Sequence, residues 1–228
     1  VPILTMRVIA EERKQKTDQL LYSLPITTSQ VVVGKYLALL VVFFIPLCIV
    51  SLYPLIFAQF GDVYLMTSYG SLLAFFIMGA ALIAVGTFIS SLTENQGFAA
   101  GIAIPVILFN YYSVSLAEHI SASAMGSVIS LCALAVILGL VIRFLTGNEG
   151  LAFSVSLLLI IIIGIAGFVD ISSFEGLLPK IMNRLSLFER FYSFVNGVFD
   201  FTSIVYFISV IVFFLFLSVQ SLEKRRYN

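Results

Sequence analysis

The sequence predicts an all-α polytopic membrane protein: about six visible transmembrane helices, a short charged helix on the cytoplasmic side and an amphipathic helix on the external side. Three observations carry this. Of the 228 residues, 61% are hydrophobic and 11% charged, against ~25% charged in soluble domains. Apolar runs at about 36–58, 70–91, 98–116, 124–145, 151–169 and 201–220 match the ~20 apolar residues that cross a bilayer core. These runs are apolar on all sides, whereas barrel strands alternate over ~10 residues, and a helix satisfies its own backbone in lipid.

The N-terminal stretch Arg7 to Pro25 is the most polar part of the chain. Arg7, Glu11, Glu12, Arg13, Lys14, Lys16 and Asp18 precede the apolar cluster Leu20, Leu21 and Leu24, and Pro25 follows. A short helix capped near Thr17 and ended before Pro25 presents the leucines on one face. Two surfaces suit such a knob: the membrane interface, or a groove on a cytoplasmic protein with the flanking charges setting orientation. The chain opens at Val1 without an initiator Met or a basic n-region, which argues against a signal peptide and for an incomplete N-terminus.

Helix starts follow from capping-box spacing. Thr27 with Gln30, Thr93 with Gln96, and Ser186 with Glu189 each pair a hydroxyl with an amide or carboxylate three residues on. Pro46, Pro54 and Pro105 fall inside expected spans, where they kink a helix. Gly97 and Gly101 form a GxxxG, and Ala80, Ala84 and Gly86 line part of another span; small residues let backbones approach in lipid, within the chain or across a dimer seam. The segment 172–200 is too polar to span. From Ser186 onward Phe188, Phe191, Val195 and Val198 follow helical spacing, which predicts an amphipathic helix in or near the outer interface.

Charge orients these elements. Six crossings leave both ends on one side, and Arg7, Arg13, Lys14, Lys16, Lys35, Arg143, Lys224, Arg225 and Arg226 lie there against Lys180, Arg184 and Arg190 opposite. The positive-inside rule then places both visible ends in the cytoplasm. Twelve basic and twelve acidic residues give no net charge, so no basic field exists to hold nucleic acid.

The runs Pro2–Arg7, Ala10–Thr27 (AEERKQKTDQLLYSLPIT) and Val33–Ala38 (VGKYLA) resemble permease subunits of type-2 ABC exporters. So do Phe88–Gln96 (FISSLTENQ), Leu185–Asp200 (LSLFERFYSFVNGVFD) and the ending Val205–Arg226. More narrowly, the chain is similar to the gliding-motility and copper-maturation branch of bacterial ABC permeases, with matches in the family's order almost end to end. The resemblance implies a single permease transmembrane domain over 1–228, with the elbow helix and first membrane helices missing upstream. It implies a cytoplasmic coupling loop at 7–30 and an external amphipathic segment at 172–200. Thr17, Asp18, Leu20, Leu21, Leu24 and Pro25 would be the coupling element that docks into a separate ABC ATPase, and Glu94, Asn95 and Gln96 a smaller second contact. It further implies a homodimer or heterodimer in the bacterial inner membrane, ATP and Mg on the partner ATPase, and no cofactor in this chain. The external helix would be a re-entrant element closing the pathway.

Other chemistry finds little support. Gly34-Lys35 suggests a phosphate loop, but Ser29 and Tyr36 stand where Gly and Ser or Thr are needed. His119 is the single histidine, and Cys48 and Cys132 sit inside apolar runs, so neither a metal site nor a disulfide framework is expected. No GxSxG and no intramembrane carboxylate pair occur in the six runs. An ATP-independent secondary transporter and a non-transporting membrane scaffold are the alternatives to the exporter reading.

Overall fold

The computed structural model describes residues 1–17, 26–119, 123–169 and 171–226, and among these every regular element is helical. Among the described residues five helices are long and apolar enough to cross a membrane: Thr28–Phe57, Leu65–Leu92, Gln96–His119, Glu149–Phe168 and Phe201–Lys224. A helix, Ala124–Thr146, also forms at the sixth expected span, 124–145. The chain divides into two compact units, Val1–Tyr111 with Leu187–Asn228, and Tyr112–Ser186.

The first unit is built around one helix. It contains α1 (Pro2–Thr5), α2 (Ala10–Lys14), α3 (Thr28–Val50), α4 (Tyr53–Phe57), α5 (Leu65–Leu92) and the first part of α6 (Gln96–His119). The chain returns to it with two later helices, α10 (Leu187–Val195) and α11 (Phe201–Arg226). Every residue of α5 from Met78 to Ser91 is buried. Small residues make this possible. The Phe43 ring covers Gly79, Thr5 sits on Gly86, and the Tyr36 hydroxyl donates to the Ala80 carbonyl at 3.1 Å. Ala74, Met78, Ala81 and Leu82 pack with Leu187, Phe194 and Phe207; Tyr36, Leu39, Ile83 and Ala84 form a second cluster.

At one end of this unit Ile9, Val32 and Leu222 form a buried cluster. Here α3 and α6 begin, and α5 and α11 finish. At the other end Tyr111 contacts Phe188 edge-to-face, with centroids 5.1 Å apart, so the chain leaves the unit and re-enters it at one place.

Local signals were realised unevenly. Thr27 and Gln30 form the full capping box: the Gln30 amide donates to Thr27 Oγ1 at 3.3 Å and the Thr27 amide to Gln30 Oε1 at 3.0 Å. At the start of α6 the cap is Asn95 rather than Thr93, its Oδ1 accepting from the amides of Gly97 and Phe98. An Asn carboxamide one residue before the helix reaches these amides, while Thr93 instead accepts from the Asn95 amide. Pro46 and Pro105 lie inside α3 and α6. Pro54 follows a break at Ser51–Leu52 and opens α4. Gly101 faces open space, so this GxxxG glycine makes no close approach among the described residues.

The second unit holds α7 (Ala124–Thr146), α8 (Glu149–Val169), a 3₁₀ turn (Ile171–Phe174) and α9 (Leu177–Leu185). Ser123 Oγ caps α7 by accepting from the Gly126 amide. Gly147, at φ +68°, ends it, and Asn148 Oδ1 accepts from the Leu151 amide as α8 begins. The paired helices touch at Gly139, where a Cβ would stand 1.7 Å from Ser156 Oγ. Arg143 and Glu149 form an exposed ion pair across the turn. Cys48 and Cys132 are both free thiols.

Candidate functional site

Opposite ends of α5 carry the two constellations that bear on function. At its Leu92 end the chain breaks between α1 and α2. A helix break in a membrane protein leaves backbone groups that something must satisfy. Two side chains from distant helices do so. Ser90 Oγ accepts from the amides of Ile9 (3.3 Å) and Ala10 (3.2 Å) and donates to the Met6 carbonyl at 3.3 Å, which uses its one donor and both lone pairs. Lys35 Nζ donates to the Val8 carbonyl at 3.0 Å and pairs with Glu12. Lys35 therefore ties α3 to the N-terminal segment. Arg13 is buried in the same region.

α2 ends in a paired-carbonyl cap. The Lys16 amide donates to the Arg13 carbonyl at 3.1 Å and the Thr17 amide to the Glu12 carbonyl at 3.0 Å, with Lys16 in the left-handed region at φ +57°. This is the Schellman arrangement with Lys where Gly is usual. Thr17 thus stands just past the end of α2, its hydroxyl donating to the Glu12 carbonyl. Asp18, Leu20, Leu21, Leu24 and Pro25 lie outside the described residues. Glu94 and Asn95 are exposed and Gln96 half-buried, in the turn that follows Ser90 and Ser91 on α5. The fold therefore brings the Thr17 segment and the 94–96 turn to one end of the unit. Ser221 Oγ donates to the Ser91 carbonyl at 3.1 Å and ties α11 into the same end.

At the Leu65 end, α10 lies along α5. Ser71 Oγ donates to the Phe194 carbonyl at 3.1 Å, and Phe75 meets Phe191 edge-to-face at 5.9 Å. Rising numbers on α5 pair with falling numbers on α10, so the two run antiparallel. The first amide of α10, Leu187, donates to Asn110 Oδ1 at 3.1 Å. On α10 Leu187 and Phe194 are buried, and Phe188 and Phe191 are half-buried against the same cluster, Phe188 meeting Tyr111. Val195 is exposed, and Val198 is exposed beyond the helix end. The spacing Leu187, Phe191, Phe194 is as helical as the stripe ending in Val195 and Val198, and periodicity alone does not choose between them. Gly197, at φ +79°, closes the helix with a second Schellman arrangement. Arg190 stacks over the Tyr206 ring at 4.1 Å. Asp200 precedes α11 and accepts from the Ser203 hydroxyl and the Thr202 amide. The Ser203 hydrogen bond, with a lesser contribution from Thr202, holds its carboxyl below the ordinary range against the opposing effect of burial.

Sequence reasoning missed Ser90, Lys35 and Asn110 as anchors. The available signal was polarity inside apolar helices, because a buried hydroxyl, ammonium or amide needs a partner.

A family model described as ABC-2 family transporter protein matches residues 1–127. The chain belongs to that family. It is an integral membrane permease subunit of the ABC transporter class, and ABC-2 membrane subunits in general work with an ABC ATPase. The match spans the Ser90–Lys35 constellation, α1 to α6 and the first residues of α7. No curated protein and no solved structure matches the chain.

Proposed function

We propose that this ABC-2 permease is the membrane-spanning subunit of a bacterial exporter of the gliding-motility and copper-maturation type. It works as a homodimer or heterodimer with two copies of a separate ATPase. ATP and Mg bind on that ATPase, and this chain performs no covalent chemistry. The observation that carries the reading is the family match over 1–127, which contains the charged N-terminal segment. Supporting the orientation, Arg7, Arg13, Lys14, Lys16, Lys35 and Lys224 belong to the end where α3 starts and α11 finishes, the cytoplasmic side by the positive-inside rule. The segment 7–30 is then the coupling loop. Closure of the ATPase pair on ATP pushes on Thr17, Asp18, Leu20, Leu21, Leu24 and Pro25, with Glu94, Asn95 and Gln96 as the lesser contact. The segment 172–200, with α10 at its centre, faces outside and closes the pathway at that end.

The test is to replace Leu20 and Leu21 together by Asp. A charge at an apolar anchor costs its desolvation, so co-purification of the ATPase should be abolished while membrane insertion is retained. Unchanged co-purification removes these leucines from the contact.

A further inference from the structure

We infer that Ser90 and Lys35 are positioning residues that carry movement of the coupling loop into the membrane helices, an inference that rests on the permease reading above. A non-helical break at residues 6–9 separates α1 from α2, and a push arriving through α2 would be absorbed at an unsupported break. The break is instead clamped on two sides. Ser90 binds the backbone at Met6, Ile9 and Ala10 through three hydrogen bonds, and Lys35 binds the Val8 carbonyl and Glu12. Ser90 is fully buried, so water does not compete for these bonds. The chain ahead of the break is pinned too, since Thr5 packs directly on Gly86, one turn from Ser90 along α5.

The clamp loads a stiff element. From Ser90 to Ser71, α5 is uninterrupted helix, roughly 28 Å at ~1.5 Å per residue. At its far end Ser71 and Phe75 hold α10. The contacts run without a gap from the coupling loop through Ser90 and α5 to α10. Lys35 applies the same load to α3. A hydroxyl that merely satisfied the backbone would need no continuation to the opposite end; this one has it. Physical continuity proposes a route, and only a coupling measurement establishes it.

The experiment uses the full protein with its ATPase in nanodiscs, where a soluble maleimide reaches both faces. Cys48 and Cys132 are replaced by Ala, and Val198→Cys supplies a reporter just past α10. Its labelling rate is read with and without ATP and vanadate. In this parent, trapping should change the rate several-fold. With Ser90→Ala or Lys35→Met the ATPase should still co-purify and hydrolyse ATP, yet the change should fall to less than a third. Ser90→Thr, which keeps the hydroxyl, should restore it. Lys35→Met keeps the apolar stem and tests the same link if Ser90→Ala does not fold. A full labelling change in a folded Ser90→Ala or Lys35→Met complex overturns the inference alone, as does a parent that binds ATPase but shows no nucleotide-dependent labelling. A parent that carries no ATPase overturns the permease reading and the inference with it.

Discussion

Gly86→Ala places a methyl group against α1, and its cost can be worked from the contact it meets. The new Cβ would lie 2.3 Å from Thr5 Oγ1, 2.8 Å from Thr5 Cβ and 2.9 Å from Thr5 Cγ2. Carbon atoms rest ~3.5–4.0 Å apart, so α1 must retreat by about 1 Å. The Thr5 Cβ is fixed to the backbone, and side-chain rotation gives no escape. Gly79 provides the contrast, because a Cβ there meets only the far edge of the Phe43 ring at 2.3 Å, which can turn aside. Retreat of α1 also stretches the three Ser90 bonds, already 3.2–3.3 Å long. Overpacking costs about 1–3 kcal/mol, each lost bond about 1 kcal/mol, and Ala returns about 1 kcal/mol of helix propensity over Gly. The net loss is about 3–5 kcal/mol, a fall of roughly 6–20 °C in midpoint for a chain of this size. The assay is a detergent melt at one fixed scan rate, because unfolding of such proteins is read as a rate-dependent midpoint. Thr5→Gly removes all three clashing atoms and should recover most of the loss in a double-mutant cycle. A Gly86→Ala protein as stable as its parent, or a loss that Thr5→Gly leaves untouched, would refute this packing.

Two further substitutions probe the elements that flank the site. Lys16→Gly relieves a left-handed backbone that costs an L-residue ~1–2 kcal/mol; the melt should rise by a few degrees, and a fall would show that the lysine side chain outweighs the strain. The Asp200 carboxyl is held low by Ser203 and Thr202, so its contribution to α11 is complete at neutral pH. It should disappear as pH falls below the ordinary carboxylate value of ~3.9 and through the lowered one. Asp200→Asn keeps an uncharged cap, so melts taken from pH 6 to pH 3 should lose less stability in the variant than in its parent; equal losses would assign the acid sensitivity to other carboxylates.

The membrane helices were legible because hydropathy over a whole span is a sum that no single neighbour overturns. The capping box at Thr27 and Gln30 was legible for a similar reason, both partners lying within one turn. Sequence could not rank the helices: α5 is the buried centre, yet α8 is equally apolar and largely exposed. That distinction comes from contacts across the chain. Ser90 binds residues 80 and 81 positions away, and Lys35 pairs with Glu12 across 23, so neither pairing has a local signature. The buried face of α10 was ambiguous because two stripes share one period and Phe191 belongs to both; burial of Leu187 and Phe194 against Ala74, Met78 and Phe207 selects the one through Phe194. Lys16 in a left-handed cap ran against residue preference, and only the closing hydrogen bonds of α2 reveal it.

The central claim, that this permease works with a separate ATPase, is tested most directly by purifying the full-length protein from its native membrane in mild detergent. The proteins that accompany it are identified by mass spectrometry and assayed for ATP hydrolysis. The account predicts a stoichiometric ABC ATPase and nucleotide-dependent turnover. Recovery of the permease alone, without ATPase activity, while a control ABC complex survives the same detergent, would contradict it.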